Sequence, residues 1–233
     1  MTLVLKNALM GVPSFDKYHV MLRTRLDGIQ SRMSDCSDND VPFLSALSEG
    51  DEEGFWEGFV TQHAPGVFSF PYLNSNFCKA LLEELEAIDY EVNKDEPEPA
   101  QIPEVVLCEA SPALYECLRS LWVNAGVPLA GLLLGQSPER LTSIQAAQYR
   151  PSHIPRGHWH IDRDSDVTLV VALADKHTGG GTEIYQGPFA APISVEQLPT
   201  GHALMFNGKA NRHYGKAVTQ GIRHLLVHWS EIK

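Results

Sequence analysis

Three residues of this chain have the types and spacing of a metal site. His160 and Asp162 lie in Gly157-His158-Trp159-His160-Ile161-Asp162, and His213 follows 51 residues after Asp162. Side chains alternate faces along a strand, so an extended reading sends His160 and Asp162 to one side and Ile161 to the other. His213, in Asn211-Arg212-His213-Tyr214-Gly215 at the mouth of another apolar run, supplies the third ligand from a neighbouring strand. Two imidazoles and one carboxylate on one face of an ion suit Fe(II) and leave positions open for a co-substrate and dioxygen. Zn(II) suits the same ligands and would leave the site inert. A bare His-x-Asp is more often a surface hydrogen bond, so the surroundings must decide.

Arg223 is the first such surrounding feature. It lies ten residues after His213, in Gly221-Ile222-Arg223-His224-Leu225-Leu226-Val227-His228-Trp229. Alternation there groups Arg223 with Leu225, Val227 and Trp229, which puts a guanidinium on a mostly apolar face. A buried Arg is rare and needs an anion. The carboxylate of a bound ligand meets that need with a charge-assisted, bidentate pair. The competing account is an internal salt bridge to one of the chain's many acidic residues.

Tyr149-Arg150-Pro151, His160-x-Asp162, Gly179-Gly180-Gly181-Thr182, and His213 with Val218, Gly221, Arg223 and Trp229 together resemble a known family. They are similar to the 2-oxoglutarate-dependent Fe(II) dioxygenases of the prolyl 4-hydroxylase type, above all to the catalytic domain of procollagen lysyl hydroxylases. A weaker likeness lies upstream, in residues 64–71 and 77–85. The resemblance implies Fe(II) held by His160, Asp162 and His213, with 2-oxoglutarate and O2 as co-substrates and ascorbate as a supporting reductant. It also implies that Arg223 and Tyr149 hold the distal carboxylate of 2-oxoglutarate, and that Thr168 adds a hydroxyl on the co-substrate side. Lysyl hydroxylases have Asn two residues past that Thr, where this chain has Val170, and the spacer from Asp162 to Thr168 is one residue longer here. His158 shares the expected strand face with the ligands and is a candidate substrate contact.

The elements that must position these residues follow from periodicity. From Leu141 onward the apolar pattern has the period of strands, read near 143–149, 157–162, 166–173, 181–185, 202–206, 213–218 and 222–229. Many short strands between Gly and Pro turns give a mainly β fold with flanking helices. The double-stranded β-helix, or jelly roll, of the resembling family fits this count. Upstream, Val67–Tyr72 reads as a strand. Asn74 or Ser75 caps a helix from Asn76 to Ile88, and Pro112 opens another that runs to Ala125. Apolar spacing predicts helical segments over 16–33 and 51–62. The organisation expected is a helical N-terminal extension over 1–63, packed on a dioxygenase domain over 64–233. Asp95-Glu96-Pro97-Glu98-Pro99 reads as a solvated acidic loop.

Composition narrows the function. With 233 residues and 43% hydrophobic content, the chain can bury one good core. No run reads as ~18 consecutive apolar residues, which argues against a membrane span, and the start does not read as a signal peptide. Cys36, Cys78, Cys108 and Cys117 are widely spaced and form no disulfide framework, pointing to a reducing, cytoplasmic setting. The net charge of −11 is uneven. Residues 1–142 hold 9 Lys+Arg against 22 Asp+Glu, and residues 143–233 hold 9 against 7. That balance is poor for a phosphate-backbone binder. Nucleic-acid oxidising relatives would also carry a second Arg six residues beyond the first, where this chain has Trp229. The resemblance implies an amino-acid side chain, lysyl or prolyl, in a protein or peptide as the acceptor. A free amino acid or small metabolite is the alternative, and a non-catalytic metal-binding sandwich the third reading. Oligomeric state is not legible.

Overall fold

The computed structural model describes residues 14–35, 54–92, 94, 101–153 and 156–233. Twelve strands run through them: β1 Thr61–Ala64, β2 Val67–Pro71, β3 Glu104–Val106, β4 Arg140–Tyr149, β5 Val167–Ala172, β6 Thr178–Gly179, β7 Thr182–Ile184, β8 Ile193–Val195, β9 His202–Asn207, β10 His213–Gly215, β11 Val218–Gln220 and β12 Arg223–Glu231. Every pairing is antiparallel. Seven strands form one sheet in the order β1-β2-β9-β5-β12-β4-β3, and β10-β7-β8 and β11-β6 form smaller ones. This mainly β architecture with antiparallel sheets and flanking helices is the jelly roll expected from the strand count.

The large sheet separates two interiors, and residue parity decides which side each chain position serves. Leu169 and Val171 of β5, Ala203 and Met205 of β9, and Leu226 of β12 join the main core. That core includes Phe77, Leu81 and Leu85 from the helix Ser75–Leu85, and Leu114, Leu118 and Leu121 from the helix Pro112–Leu121. The residues between them face the other way. Leu204 and Phe206 of β9 pack with Ile184 and Val195 of the three-stranded sheet. Leu225 packs with Ala147, Tyr149 and Val218. At roughly 1.5–3 kcal/mol for each fully buried aliphatic side chain, the helix-covered side carries most of the apolar stabilisation.

Helix ends follow local chemistry. Asn74 caps Ser75–Leu85, its side chain accepting from the amide of Asn76. The helix read as 112–125 does not stop there. After Pro112–Leu121 the chain makes a π-type turn, Trp122–Gly126, and continues as Val127–Leu134 to a left-handed Gly135. Gly126 and Pro128 look like breakers in sequence. Pro128 instead sits in the first turn of the new segment, where its missing N–H costs nothing. Gly126 lies against the Trp122 indole, which leaves no room for a Cβ. The whole Pro112–Leu134 helix has 23 residues and a mean hydropathy of 1.4 over its most apolar stretch, so it is long and apolar enough to cross a membrane by composition. Here Leu114, Leu118, Leu121, Trp122, Leu129 and Leu133 are buried in the protein core.

Two further expectations change. The helix expected over 51–62 is absent from its described part, where residues 54–60 form turns and Thr61 begins β1. Phe55, Trp56 and Phe59 still pack inward, through ring contacts with one another and with Phe70. The helices Val20–Arg23 and Leu26–Asp35 place Leu22 and Ile29 in the main core, and β1 adds to the edge of the large sheet. The acidic segment 95–99 and the residues around Cys36 lie outside the described residues.

Candidate active site

The segment carrying His160 and Asp162 is extended but is not a regular strand. Its amides reach across one at a time. Gly157 N–H donates to Gly215 O at 2.9 Å, His160 N–H to His213 O at 3.0 Å, and Asp162 N–H to Gly208 O at 3.0 Å. Only His160 and His213 form a bridge, with His213 N–H returning to His160 O at 2.8 Å. The expected strand 157–162 is thus replaced by a pinned loop edge. Its pins nevertheless place the two histidines directly opposite each other.

His160, Asp162 and His213 converge, with one ligand atom from each lying within 4.8 Å of the other two. Asp162 Oδ1 is 3.4 Å from His160 Nε2 and 3.8 Å from His213 Nε2. Both imidazoles are oriented from behind. His160 Nδ1 lies 2.7 Å from His158 O, and His213 Nδ1 lies 2.9 Å from Asn211 O. A carbonyl oxygen only accepts, so each Nδ1 carries the proton and each Nε2 turns a lone pair toward the carboxylate. Two lone pairs and an anion meeting at one point are explained by a cation between them. The donor set therefore fits Fe(II). Burial keeps His213 below the usual imidazole range and so neutral. Burial pushes the Asp162 carboxyl up, but its surroundings at His160, His213 and the Thr168 hydroxyl more than offset this and hold it low.

Thr168 sits directly against Asp162. Its hydroxyl donates to Asp162 Oδ2 at 2.6 Å and also lies 2.9 Å from Ser165 Oγ. It is 1% exposed and faces Asp162. Gly208 makes this seat possible, because a Cβ there would collide with the Thr168 hydroxyl and stand 3.0 Å from Asp162 Cβ. His158 stacks on His160 with ring centroids 5.1 Å apart. Trp159 and Trp229 are half-buried rather than core, and Trp159 contacts the rings of Tyr185 and Tyr214.

Arg223 is 3% exposed, and no ion pair to it occurs among the described residues. No described acidic residue therefore answers its charge. Its Nε donates to Gln197 Oε1 at 2.9 Å, while Nη1 has no hydrogen-bond partner among the described residues. Burial pulls the guanidinium down to about 10. Tyr149 is its register partner on β4, and the guanidinium carbon lies 5.5 Å from the Tyr149 ring centroid. Burial raises the Tyr149 phenol, so its hydroxyl stays protonated. A Cβ on Gly215 would stand 3.1 Å from Arg223 Nη1 and 3.2 Å from the Tyr149 hydroxyl. The missing side chain leaves a cradle in front of two donors, which fits a carboxylate.

Arg223 also lines a small open cleft with Val170, Ala172, Leu204, Leu225 and Gln197. None of the metal ligands forms its walls, so Arg223 is the residue common to the cleft and the Tyr149 cradle. Gln197 was not found in sequence. It follows a short strand with no distinctive motif, and only the fold brings it to Arg223.

No family model matches the chain. Two curated proteins of Arabidopsis thaliana do: the 2-oxoglutarate and iron-dependent oxygenase domain-containing proteins ICU11, 26% identical over 205 residues, and CP2, 26% identical over 206. Each alignment covers 80% of this chain and 50% of the relative, so the chain spans about half the length of these proteins. Among solved structures, a Trichoplax adhaerens prolyl hydroxylase in complex with a hypoxia inducible factor peptide fragment superposes with a TM-score of 0.56 at 14% identity, over 89% of this chain and 92% of that one. The carbocyclase SnoK from nogalamycin biosynthesis gives 0.55 at 17%, over 71% and 79%. A Pseudomonas putida prolyl-4-hydroxylase gives 0.52 at 20%, over 72% and 94%.

Proposed function

We propose that this chain, a member of the 2-oxoglutarate/Fe(II) oxygenase superfamily by its fold and ligand triad, hydroxylates an aliphatic C–H of a lysyl or prolyl side chain in a protein or peptide. The observation that carries the oxygenase reading is the convergence of two tautomer-fixed imidazoles and Asp162 on one point. Iron bound there supplies the activation of dioxygen. One oxygen atom enters succinate as 2-oxoglutarate loses CO2, and the other enters the acceptor as an alcohol. The protein's own groups do the rest. Nδ1 hydrogen bonds to His158 O and Asn211 O keep His160 and His213 aimed, and Thr168 turns Asp162 so that Oδ1 faces them. Arg223 and Tyr149 are set to hold a distal carboxylate, which fixes the co-substrate's orientation and lowers the entropic cost of reaction. The near-complete burial of Asp162 and His213 excludes bulk water from one side of the site.

A peptide acceptor is supported by the peptide-bound prolyl hydroxylase, whose fold matches 89% of this chain. The acidic N-terminal half favours a cationic acceptor, and rising salt would then raise the Michaelis constant. The small-molecule alternative is supported by the likeness to SnoK, an enzyme of nogalamycin biosynthesis. The described cysteines, Cys78, Cys108 and Cys117, are free thiols, which supports a reducing, cytoplasmic setting.

The test is succinate release from 2-oxoglutarate with Fe(II) and ascorbate, for wild type and His160→Ala, with and without pools of Lys- and Pro-containing peptides. The expected result is turnover stimulated by one pool and reduced at least ~1,000-fold in the variant, as for loss of an essential group. Stimulation by no peptide moves the acceptor to small molecules. Absence of succinate from iron-loaded protein defeats the oxygenase reading.

A further inference from the structure

Gln197, the half-buried residue against Arg223, has no role in the ligand triad, and the fold goes to some length to put it there. Gly179, Gly180 and Gly181 all have positive φ, at 79°, 83° and 97°. A Cβ on Gly181 would strike the backbone of Val195 and stand 3.0–3.1 Å from the backbone of Glu196 and Gln197, so the end of β8 lies directly on this turn. A Cβ on Gly180 would stand 3.1 Å from Arg223 Cδ and 3.2 Å from Gln197 Oε1. Side chains at either position would hold the amide and the guanidinium apart. Gly180 and Gly181 are what let the end of β8 and Arg223 approach this closely.

The orientation of the amide is fixed as well. Gln197 Nε2 donates to Leu198 O at 3.0 Å, which leaves Oε1 as the atom facing Arg223 Nε. The interaction satisfies one donor of the guanidinium and neutralises none of its charge. Nη1 remains unpartnered beside the Gly215 cradle and the Tyr149 hydroxyl. Glu at this position would give Arg223 an internal counter-ion and fill the electrostatic need that a ligand otherwise meets.

We infer that Gln197 is a positioning and specificity-determining residue. As a neutral acceptor on Nε it fixes the guanidinium plane, and it keeps the charge of Arg223 available for the distal carboxylate of a 2-oxo dicarboxylic acid. This rests on the reading of Arg223 as the co-substrate's carboxylate partner. The consequence is that stability and co-substrate binding pull in opposite directions at residue 197.

The experiment compares wild type, Gln197→Glu, Gln197→Leu and Arg223→Met. Binding of radiolabelled 2-oxoglutarate to Mn(II)-loaded protein is measured by equilibrium dialysis, with Mn(II) affinity and the Tm of the metal-free protein measured in parallel. Gln197→Glu is expected to weaken 2-oxoglutarate at least ~10-fold, leave Mn(II) affinity within about twofold, and raise Tm by about 3 °C. Gln197→Leu, which removes the acceptor, is expected to weaken 2-oxoglutarate and lower Tm. Loss of binding accompanied by a lower Tm in Gln197→Glu would show a merely structural residue and overturn the inference. So would wild-type binding in Gln197→Glu while Arg223→Met loses it. Wild-type binding in Arg223→Met would instead defeat the carboxylate reading of Arg223 itself.

Discussion

The two faces of the seven-stranded sheet are built from the same strands and do opposite work. On β5, Val167, Leu169 and Val171 enter the helix-covered core, while Thr168 between them holds the carboxylate of Asp162. On β12, Leu226 joins that core, while Arg223 and Leu225 face the smaller sheets. One face is filled by carbon. The other gathers His160, Asp162 and His213 around one point and leaves Arg223 Nη1 without a hydrogen-bond partner among the described residues. A period of two is enough to keep a stabilising surface and a polar one a single residue apart, and the first supports the second.

Substitutions separate the two faces. Leu169 is fully buried on the helix side, so Leu169→Ala is expected to cost about 3 kcal/mol in denaturant unfolding, from lost transfer energy and the cavity left behind. Mn(II) affinity of the molecules that remain folded should stay at the wild-type value; a tenfold loss would mean that the faces are not independent. Across the sheet, Thr168→Val keeps the shape and removes the hydroxyl. Metal affinity is expected to fall between about 10- and 100-fold, the usual cost of losing an outer partner of a ligand, with Thr168→Ser restoring most of it. Equal loss in both variants would show that packing, not the hydrogen bond, orients Asp162.

The third test probes an ionisable side chain buried on the carbon-filled face. His228 is 1% exposed on the helix side, stacked on Trp122 at 5.9 Å, and burial pulls its imidazole down to about 3. Its folded-state value lies below the unfolded value, so the unfolded chain binds the proton first. Stability from this group is complete above about pH 6.5 and is lost as pH falls toward 3, by roughly 1.4 kcal/mol at pH 5.5. His224, pulled down to about 4 chiefly by burial, adds a slope of the same sign. His228→Phe is expected to remove its share of the acid slope seen in urea unfolding between pH 6.5 and 5.5. An unchanged slope would assign the acid sensitivity to the site-facing histidines instead.

How much of this was legible in sequence depended on whether a residue's role is set by its own strand. Arg223 was placed by the alternation of β12, and its partner Tyr149 by spacing to the first histidine; the structure puts the two in register. His160, Asp162 and His213 were singled out from types and spacing and the structure brings them together, although the strand expected to carry the first two is a loop edge held at three points. Thr168 was singled out, but its hydrogen bond to Asp162 was not read, because a hydroxyl on the site side of a strand does not announce which group it serves. Gln197 was invisible, since it is delivered by backbone packing of β8 onto the triple-glycine turn. The second half of the long helix was hidden behind Gly126 and Pro128, which break helices in most settings and fit this one through a π turn and a proline in the first turn.

That long helix has a consequence for biosynthesis. Pro112–Leu134 leaves the ribosome before any of the strands β5, β9 and β12 that cover it, and Leu226 follows its last residue by 92 positions. At roughly 5–20 residues per second, an apolar helix of membrane-spanning length is without its cover for about 5–18 s of synthesis. During that interval a nascent-chain chaperone, or a membrane insertion factor in error, would meet a surface that the finished protein hides.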